Sequence, residues 1–248
     1  MVIAIDGPAG SGKSTIGKLL AEKLGYLHIS TGALYRAIGW KADRRGIPLT
    51  DIPGLLAMVK DTDLDIQRGE DGSNRVYVDG VEVTPWIYSE KVGNLASLVS
   101  AIPEVRESLI QLQRDLGARN NVVLDGRDIG TVIFPEAEIK FYLDASPQER
   151  ARRRWLELQS RGVPADLEKL TEEIKQRDHQ DTTRPVAPLR RAKDAIYIDS
   201  TGLSIGQVVE KMLQEAKKKL SAIPGPSSPV TGDRLPPTDP ESAPGNRS

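Results

Sequence analysis

The run Gly7-Pro8-Ala9-Gly10-Ser11-Gly12-Lys13-Ser14 carries the clearest chemistry in the chain, because it matches the spacing G-x-x-x-x-G-K-[ST]. Its glycines let the backbone wrap so that successive N–H groups converge on phosphate oxygens, and a helix starting behind the loop adds its positive end. Lys13 is then placed to reach the β- and γ-phosphates of a nucleoside triphosphate. Ser14 offers a hydroxyl to a Mg²⁺ bridging those phosphates, and Thr15 is placed for the α-phosphate. A second element, Val122-Val123-Leu124-Asp125, is an apolar run ending in a carboxylate. Asp at such a position is a common turn former, but beside a phosphate loop Asp125 reads as a second Mg²⁺ anchor, acting through water.

Arginines form the next constellation: Arg36, Arg106, Arg127, Arg177 and Arg184. Each alone reads as a solvated surface residue. As a set they fit a site holding two anionic substrates, since guanidinium forks bind phosphate bidentately and stay charged. The run Arg150-Ala151-Arg152-Arg153-Arg154 reads as an exposed helix face, with one or two members closing on triphosphate oxygens.

These residues need a scaffold. Val2 to Ile5 is short and uniformly apolar, as a strand buried on both faces would be. Apolar positions Ile16, Leu19, Leu20 and Leu24 then recur at helical spacing up to a stop at Gly25. The later runs Val122–Leu124, Ile139–Leu143 and Ala195–Ile198 are further strands with helical patterns between them, which implies an α/β fold with a parallel, doubly wound sheet. Two regions interrupt the alternation. Residues 63–83 carry hairpin signals at 69–74 and at Asp79-Gly80, followed by a helical stretch from Ser89 to Leu116 broken near Pro103. Residues 146–191 are rich in Arg and Glu with sparse apolar positions, as expected of a mobile helical pair over a cleft.

The 248 residues suit one main core with small insertions. Hydrophobic residues make up 38% and charged residues 28%, a globular rather than disordered balance. Lys and Arg number 34 against 35 Asp and Glu, a net charge of −1 that offers no field to draw in a nucleic-acid polymer or an anionic membrane. The absence of cysteine excludes disulfides, thiolate metal sites and a Cys nucleophile, and two histidines argue against a His-rich metal site. No stretch approaches the roughly 18 apolar residues of a membrane span, and the first residues lack a basic leader, so the protein is expected in the cytoplasm, a monomer by default. Residues 223–248 hold seven prolines and only four hydrophobic residues, and should form a disordered tail.

A phosphate loop implies ATP or GTP without deciding between kinase, GTPase, motor and transporter. The chain is too short for most motors or transporters, and no Asn-Lys-x-Asp run supports guanine recognition, so a small-molecule kinase leads.

The motifs Ile5-Asp6-Gly7-Pro8-Ala9-Gly10-Ser11-Gly12-Lys13-Ser14, Thr31-Gly32-Ala33-Leu34-Tyr35-Arg36, Asp125-Gly126-Arg127-Asp128-Ile129-Gly130-Thr131-Val132-Ile133-Phe134-Pro135 and Arg177-Asp178-His179-Gln180-Asp181-Thr182-Thr183-Arg184-Pro185-Val186-Ala187-Pro188-Leu189 together resemble those of bacterial cytidylate kinases, within the nucleoside monophosphate kinases. The resemblance covers residues 1–222. It implies a three-layer P-loop kinase domain with a monophosphate-binding insertion at about 60–116 and a helical lid at about 146–191. It further implies transfer of the γ-phosphoryl group of ATP, with Mg²⁺, to CMP or dCMP. Lys13, Arg127, Arg177 and Arg184 would be the catalytic cations. Thr31, Arg36, Ser97, Arg106, Arg127, Asp128, Arg177, Asp181 and Arg184 would line the CMP side.

The chemistry of each residue type agrees with that assignment. Asp128 can accept from the cytosine 4-amino group, which uracil lacks, and Arg106 can donate to O2 and N3. Asp181 suits ribose hydroxyls with Ser97 nearby, and Arg36, Arg127, Arg177 and Arg184 suit the phosphate. His179 has no catalytic role in this reading. A kinase for UMP and CMP together, another small-metabolite kinase of this fold, or a nucleotide-binding regulatory module using the tail as a docking segment are the competing readings.

Overall fold

The computed structural model of the chain describes residues 1–69 and 73–222. The tail 223–248 and the tip of the first hairpin, 70–72, lie outside the described residues. Val2–Asp6 (β1) and Val122–Gly126 (β6) are buried at every position, which a strand can be only inside a sheet covered on both faces. With Leu27–Ser30 (β2), Ile139–Asp144 (β7) and Ile196–Asp199 (β8) they form one parallel sheet in the order β2-β6-β1-β7-β8. Four of the five were expected from their apolar runs; β2 was not, because Leu27-His28-Ile29-Ser30 is four residues long and half polar. Its strand character comes from pairing with β6, His28 opposite Val123 and Ser30 opposite Asp125.

Alternation along the strands divides the core into two. Val2, Ala4, Val122 and Leu124 pack toward Thr31–Arg45 (α2), Ile52–Lys60 (α3) and Pro103–Arg119 (α6). Ile3, Ile5 and Val123 pack toward Lys13–Leu24 (α1) and Ile205–Ala222 (α9), against Leu20, Val208 and Met212. The result is three layers. Ile3 and Ile5 are 0% exposed, and each such side chain contributes about 1.5–3 kcal/mol relative to exposure.

Between α3 and α6 lie three antiparallel strands, Leu64–Arg68 (β3), Asn74–Val78 (β4) and Val81–Glu82 (β5). Asp79 and Gly80, with φ of 52° and 76°, make the two-residue turn between β4 and β5 that the Asp-Gly pair predicts. Asp79 also takes Lys41 of α2 at 2.7 Å, fastening the hairpin to the core. The short helix Thr84–Ile87 (α4) and Glu90–Ala101 (α5) follow, and Ile102 adopts an extended conformation before Pro103, which starts α6. Beyond β7, Pro147–Ser160 (α7) and Leu167–Thr183 (α8) pack on each other, and no residue of α8 is buried. No described helix is long and apolar enough to cross a membrane.

Candidate active site

Ligands of parallel α/β sheets sit beyond the carboxyl ends of the strands, and here the ends of β1, β2 and β6 deliver the phosphate loop, Ser30-Thr31 and Asp125–Asp128 to one edge. The chain leaves β1 through Gly7, Gly10 and Gly12 with φ of 150°, 75° and 93°. A Cβ on Gly7 would sit 2.0 Å from the Leu143 carbonyl oxygen, so only glycine lets the loop pass β7 at this distance. Lys13 folds back over the loop: its Nζ donates to the Pro8 carbonyl at 2.6 Å and to Ser11 Oγ at 3.2 Å. Burial first, then the charge of Arg127, push the Lys13 pKa well below the lysine range against weaker opposing pulls from Asp125, Asp181 and Asp6. A cation this desolvated gains strongly from an arriving anion, which is the electrostatic case for a phosphate here.

Asp125 lies beside the start of α1. Its Oδ2 accepts from Ser14 Oγ at 2.8 Å and Ser30 Oγ at 3.3 Å, and its Oδ1 pairs with His28 Nε2 at 2.7 Å. Burial raises the Asp125 pKa, but the hydrogen bond from His28, the charge of Lys13 and the hydrogen bond from Ser14 hold the carboxyl below its ordinary value. A hydroxyl and a carboxylate 2.8 Å apart are an oxygen pair suited to Mg²⁺, which takes one or two protein oxygens and completes its shell with phosphate and water.

At the opposite end of the cleft cations and carboxylates alternate. Arg127 Nε donates to Asp181 Oδ2 at 2.7 Å, and Arg184 Nη1 lies 3.9 Å from Asp181 Oδ1. Arg106 Nη2 donates to Asp128 Oδ1 at 2.5 Å, with Arg184 Nη2 3.5 Å from the same oxygen. Asp128 Oδ2 and Arg106 Nε are buried without a hydrogen-bond partner, and such atoms call for a ligand or a water. The Arg106 guanidinium stands 5.6 Å from the Tyr35 ring centre. Burial pushes the Tyr35 hydroxyl up to about 12. Arg36 donates to the carbonyls of Ile87 and Ser89 at 2.9 and 3.3 Å. Arg177 lines the cleft with no hydrogen bond or ion pair among the described residues.

Asp128 and its neighbours are held by an unexpected residue. Ile129–Ile133 form a π-helical turn whose first N–H groups, those of Ile129 and Gly130, donate to Asp6 at 2.7 and 2.8 Å. Burial raises the Asp6 pKa from 3.8 to about 6, opposed by those two bonds and assisted by the charge of Asp128. With the folded value above the unfolded one, the native state binds the extra proton between these limits, so the Asp6 contribution to stability falls as pH rises from about 4 through 6. The span of roughly 2 pH units corresponds to about 3 kcal/mol. Asp6→Asn should therefore gain about 3 kcal/mol on the wild type between pH 4 and pH 8 in denaturant unfolding. Parallel pH curves for the two proteins would remove the argument.

The residues singled out by sequence gather in one cleft of about 740 Å³. Ala9, Gly10, Gly12, Lys13, Ser14, Thr15 and Asp125 line one part, and Thr31, Arg36, Ser97, Arg106, Arg127, Arg177, Asp181 and Arg184 line the other. Gly7, Pro8 and Ser11 shape the loop from behind, and Asp128 sits behind Arg106 and Arg184 rather than on the cleft wall. The Thr31 hydroxyl is spent on the Asp125 carbonyl at 3.0 Å.

Arg150 corrects the expectation of an exposed face. It is 3% exposed, grips Asp178 of α8 through bonds of 2.9 and 2.6 Å, and donates to the Ala9 carbonyl at 2.9 Å. Two acceptors from distant segments make burial of this charge tolerable, and neither is visible in the arginine run itself. Arg153 reaches the Ser200 carbonyl at 2.6 Å, whereas Arg152 and Arg154 pair with Glu149 and Glu157 on their own helix. Sequence reasoning passed over Asp6, His28, Tyr35 and Asn74. Asp6 alone carried a local signal, since it ends an apolar strand just as Asp125 does.

Comparison with known proteins bears directly on this geometry. The family model for cytidylate kinase matches residues 3–218. A cytidylate kinase of Caldicellulosiruptor saccharolyticus is 52% identical over 212 residues, covering 86% of this chain and 93% of that protein. Another, from Geobacter sp. strain M21, is 48% identical over 221 residues, covering 89% and 94%. An uncharacterized protein from Eubacterium ventriosum, solved by crystallography, aligns over 88% of this chain and 98% of its own with a TM-score of 0.50 and 13% identity, a likeness of fold alone. With a family match that spans the phosphate loop, the Asp125–Asp128 turn, Arg177 and Arg184, the chain belongs to the cytidylate kinase family.

Proposed function

We propose that the chain transfers the γ-phosphoryl group of ATP to CMP or dCMP, giving ADP and CDP or dCDP. The observation that carries this is the cleft itself: a phosphate loop with a buried Lys13 at one end, and Arg127, Arg177 and Arg184 at the other. Two anionic substrates meeting between them repel, and fixed cations offset that repulsion at the point of transfer.

Each residue has a task in this reading. Backbone N–H groups of residues 9–13 hold the triphosphate, and Lys13 leaves Pro8 and Ser11 to meet the β- and γ-phosphates. Ser14 and Asp125 would hold Mg²⁺, which when bound neutralises charge on the phosphate oxygens. Arg36, Arg127, Arg177 and Arg184 take the acceptor phosphate, Asp181 with Ser97 the ribose, and Arg106 and Asp128 the base. The insertion at about 60–116 closes over the monophosphate, and the helical pair at about 146–191 closes over the triphosphate and excludes water. No general base is required, because a phosphate monoester has its second pKa at about 6 and is already ionised at neutral pH.

The test is to mix the protein with ATP, Mg²⁺ and each nucleoside monophosphate in turn, following ADP and diphosphate product together. CDP and dCDP formed in preference to all others is the expected result. UDP formed as fast as CDP would make this a kinase for both pyrimidine monophosphates, and ADP without any diphosphate product would overturn the acceptor assignment.

A further inference from the structure

His28 was given no role by its sequence context, yet it is 7% exposed, lines the cleft and pairs with the carboxylate that the proposed function assigns to the metal. One of its ring nitrogens, Nε2, lies 2.7 Å from Asp125 Oδ1, and the other, Nδ1, lies 3.4 Å from Asn74 Nδ2. Asn74 opens β4, in the antiparallel insertion, so a single ring spans from that insertion to the end of β6.

The tautomer follows from donor bookkeeping. The Asn74 amide also meets the His28 backbone carbonyl, which can only accept, so the amide presents its N–H₂ side to this residue. That same group faces Nδ1, which must then be the accepting nitrogen. The proton sits on Nε2 and is donated to Asp125 Oδ1. With Oδ1 occupied from behind, Oδ2 is left to face Ser14 at 2.8 Å. Helix α1 makes room for this ring: a Cβ at Gly17 would meet His28 Nε2 at 3.0 Å and Cδ2 at 3.2 Å. A glycine inside a helix costs about 1 kcal/mol relative to alanine, so the accommodation is bought at a measurable sacrifice in helix stability.

We propose that His28 is a positioning residue, its tautomer set by Asn74, which orients the Asp125 carboxylate for the metal and ties the antiparallel insertion to the metal anchor. The proposal rests on the reading of Ser14 and Asp125 as that anchor. Oriented carboxylates bind metal more tightly than free ones, and removal of such outer partners typically weakens metal binding 10–100-fold.

The experiment titrates Mn²⁺, as a paramagnetic stand-in for Mg²⁺, into the full chain with a non-hydrolysable ATP analogue and reads free Mn²⁺ by electron paramagnetic resonance. His28→Leu should raise the Mn²⁺ dissociation constant about 10-fold or more, with affinity for the metal-free analogue unchanged within about twofold. His28→Gln, whose amide N–H reaches the place of Nε2–H, should recover most of the loss. Asn74→Ala should weaken Mn²⁺ binding by a smaller factor and add nothing to His28→Leu, because both act through one orientation. Equal weakening of metal-bound and metal-free analogue would show a merely structural role and overturn the proposal. So would His28→Leu within twofold of wild type while Asp125→Asn loses Mn²⁺. An unchanged Mn²⁺ affinity in Asp125→Asn would instead overturn the anchor itself, and the role of His28 with it. The Gln and Asn74 variants keep the test decisive if the Leu variant fails to fold.

Discussion

Lys13→Ala should reduce phosphoryl transfer by about 10³-fold or more, the range found when a fixed charge on a transferring phosphoryl group or oxyanion is removed. Lys13 is one of the few cations in the cleft without a carboxylate partner in hydrogen-bond range; its contacts are the Pro8 carbonyl and Ser11 Oγ. The ammonium is therefore held ready by neutral acceptors, which release it to phosphate more cheaply than an ion pair would. The same burial that makes Lys13 effective makes it costly in the empty cleft, since burial opposes its charge. Loss of activity should accordingly come with no loss of folding stability. Steady-state CDP formation and a thermal melt on the same sample check both halves. A variant retaining a tenth of wild-type kcat would take Lys13 out of the transfer step, and a large fall in melting temperature would mean that its charge supports the fold instead.

The contrast between what the sequence discloses and what it hides follows from distance along the chain. The phosphate loop is legible because its chemistry is done by contiguous backbone, and β1 and β6 are legible because burial on both faces writes a continuous apolar run. The roles of Asp6, whose one local sign is its place at the end of an apolar strand, and of His28, which has none, are hidden for the opposite reason. Asp6 takes its meaning from N–H groups at Ile129 and Gly130, and His28 from Asp125 and Asn74, contacts that exist only once β2, β6 and β1 stand side by side. Arg150 shows the same limit with a wrong sign. Among neighbouring arginines it reads as solvated, and besides the nearby Ala145 carbonyl its burial depends on the carboxylate of Asp178 and the carbonyl of Ala9, from residues 28 and 141 positions away. The arginines of the acceptor side were found by type, but their pairing was not. Arg127 pairs with Asp181 and Arg106 with Asp128, and Arg184 lies between the two carboxylates.

That pairing sharpens the expectation for Asp128. Asp128 and Arg106 have side chains 4% exposed each, so Asp128→Ala leaves a buried guanidinium with no carboxylate in contact and should destabilise the fold by about 3–5 kcal/mol. Asp128→Asn keeps the shape and tests recognition. The orphaned Asp128 Oδ2 can accept from the 4-amino group of cytosine, whereas uracil presents an acceptor at that position and is repelled. An asparagine can turn its amide to donate, so the ratio of kcat/KM for CMP over UMP should fall about 10- to 100-fold, the cost of roughly 1–3 kcal/mol per discriminating contact. The KM for ATP, set at the far end of the cleft, should hold within about twofold. Because Asp128 stands behind Arg106 and Arg184, it has another way to act: fixing Arg106, which then meets the base. The two routes separate in one measurement. Direct contact lowers the CMP to UMP ratio, while a purely supporting action lowers kcat/KM for both substrates together and leaves the ratio unmoved, an outcome that would take discrimination between the bases away from the Asp128 carboxylate.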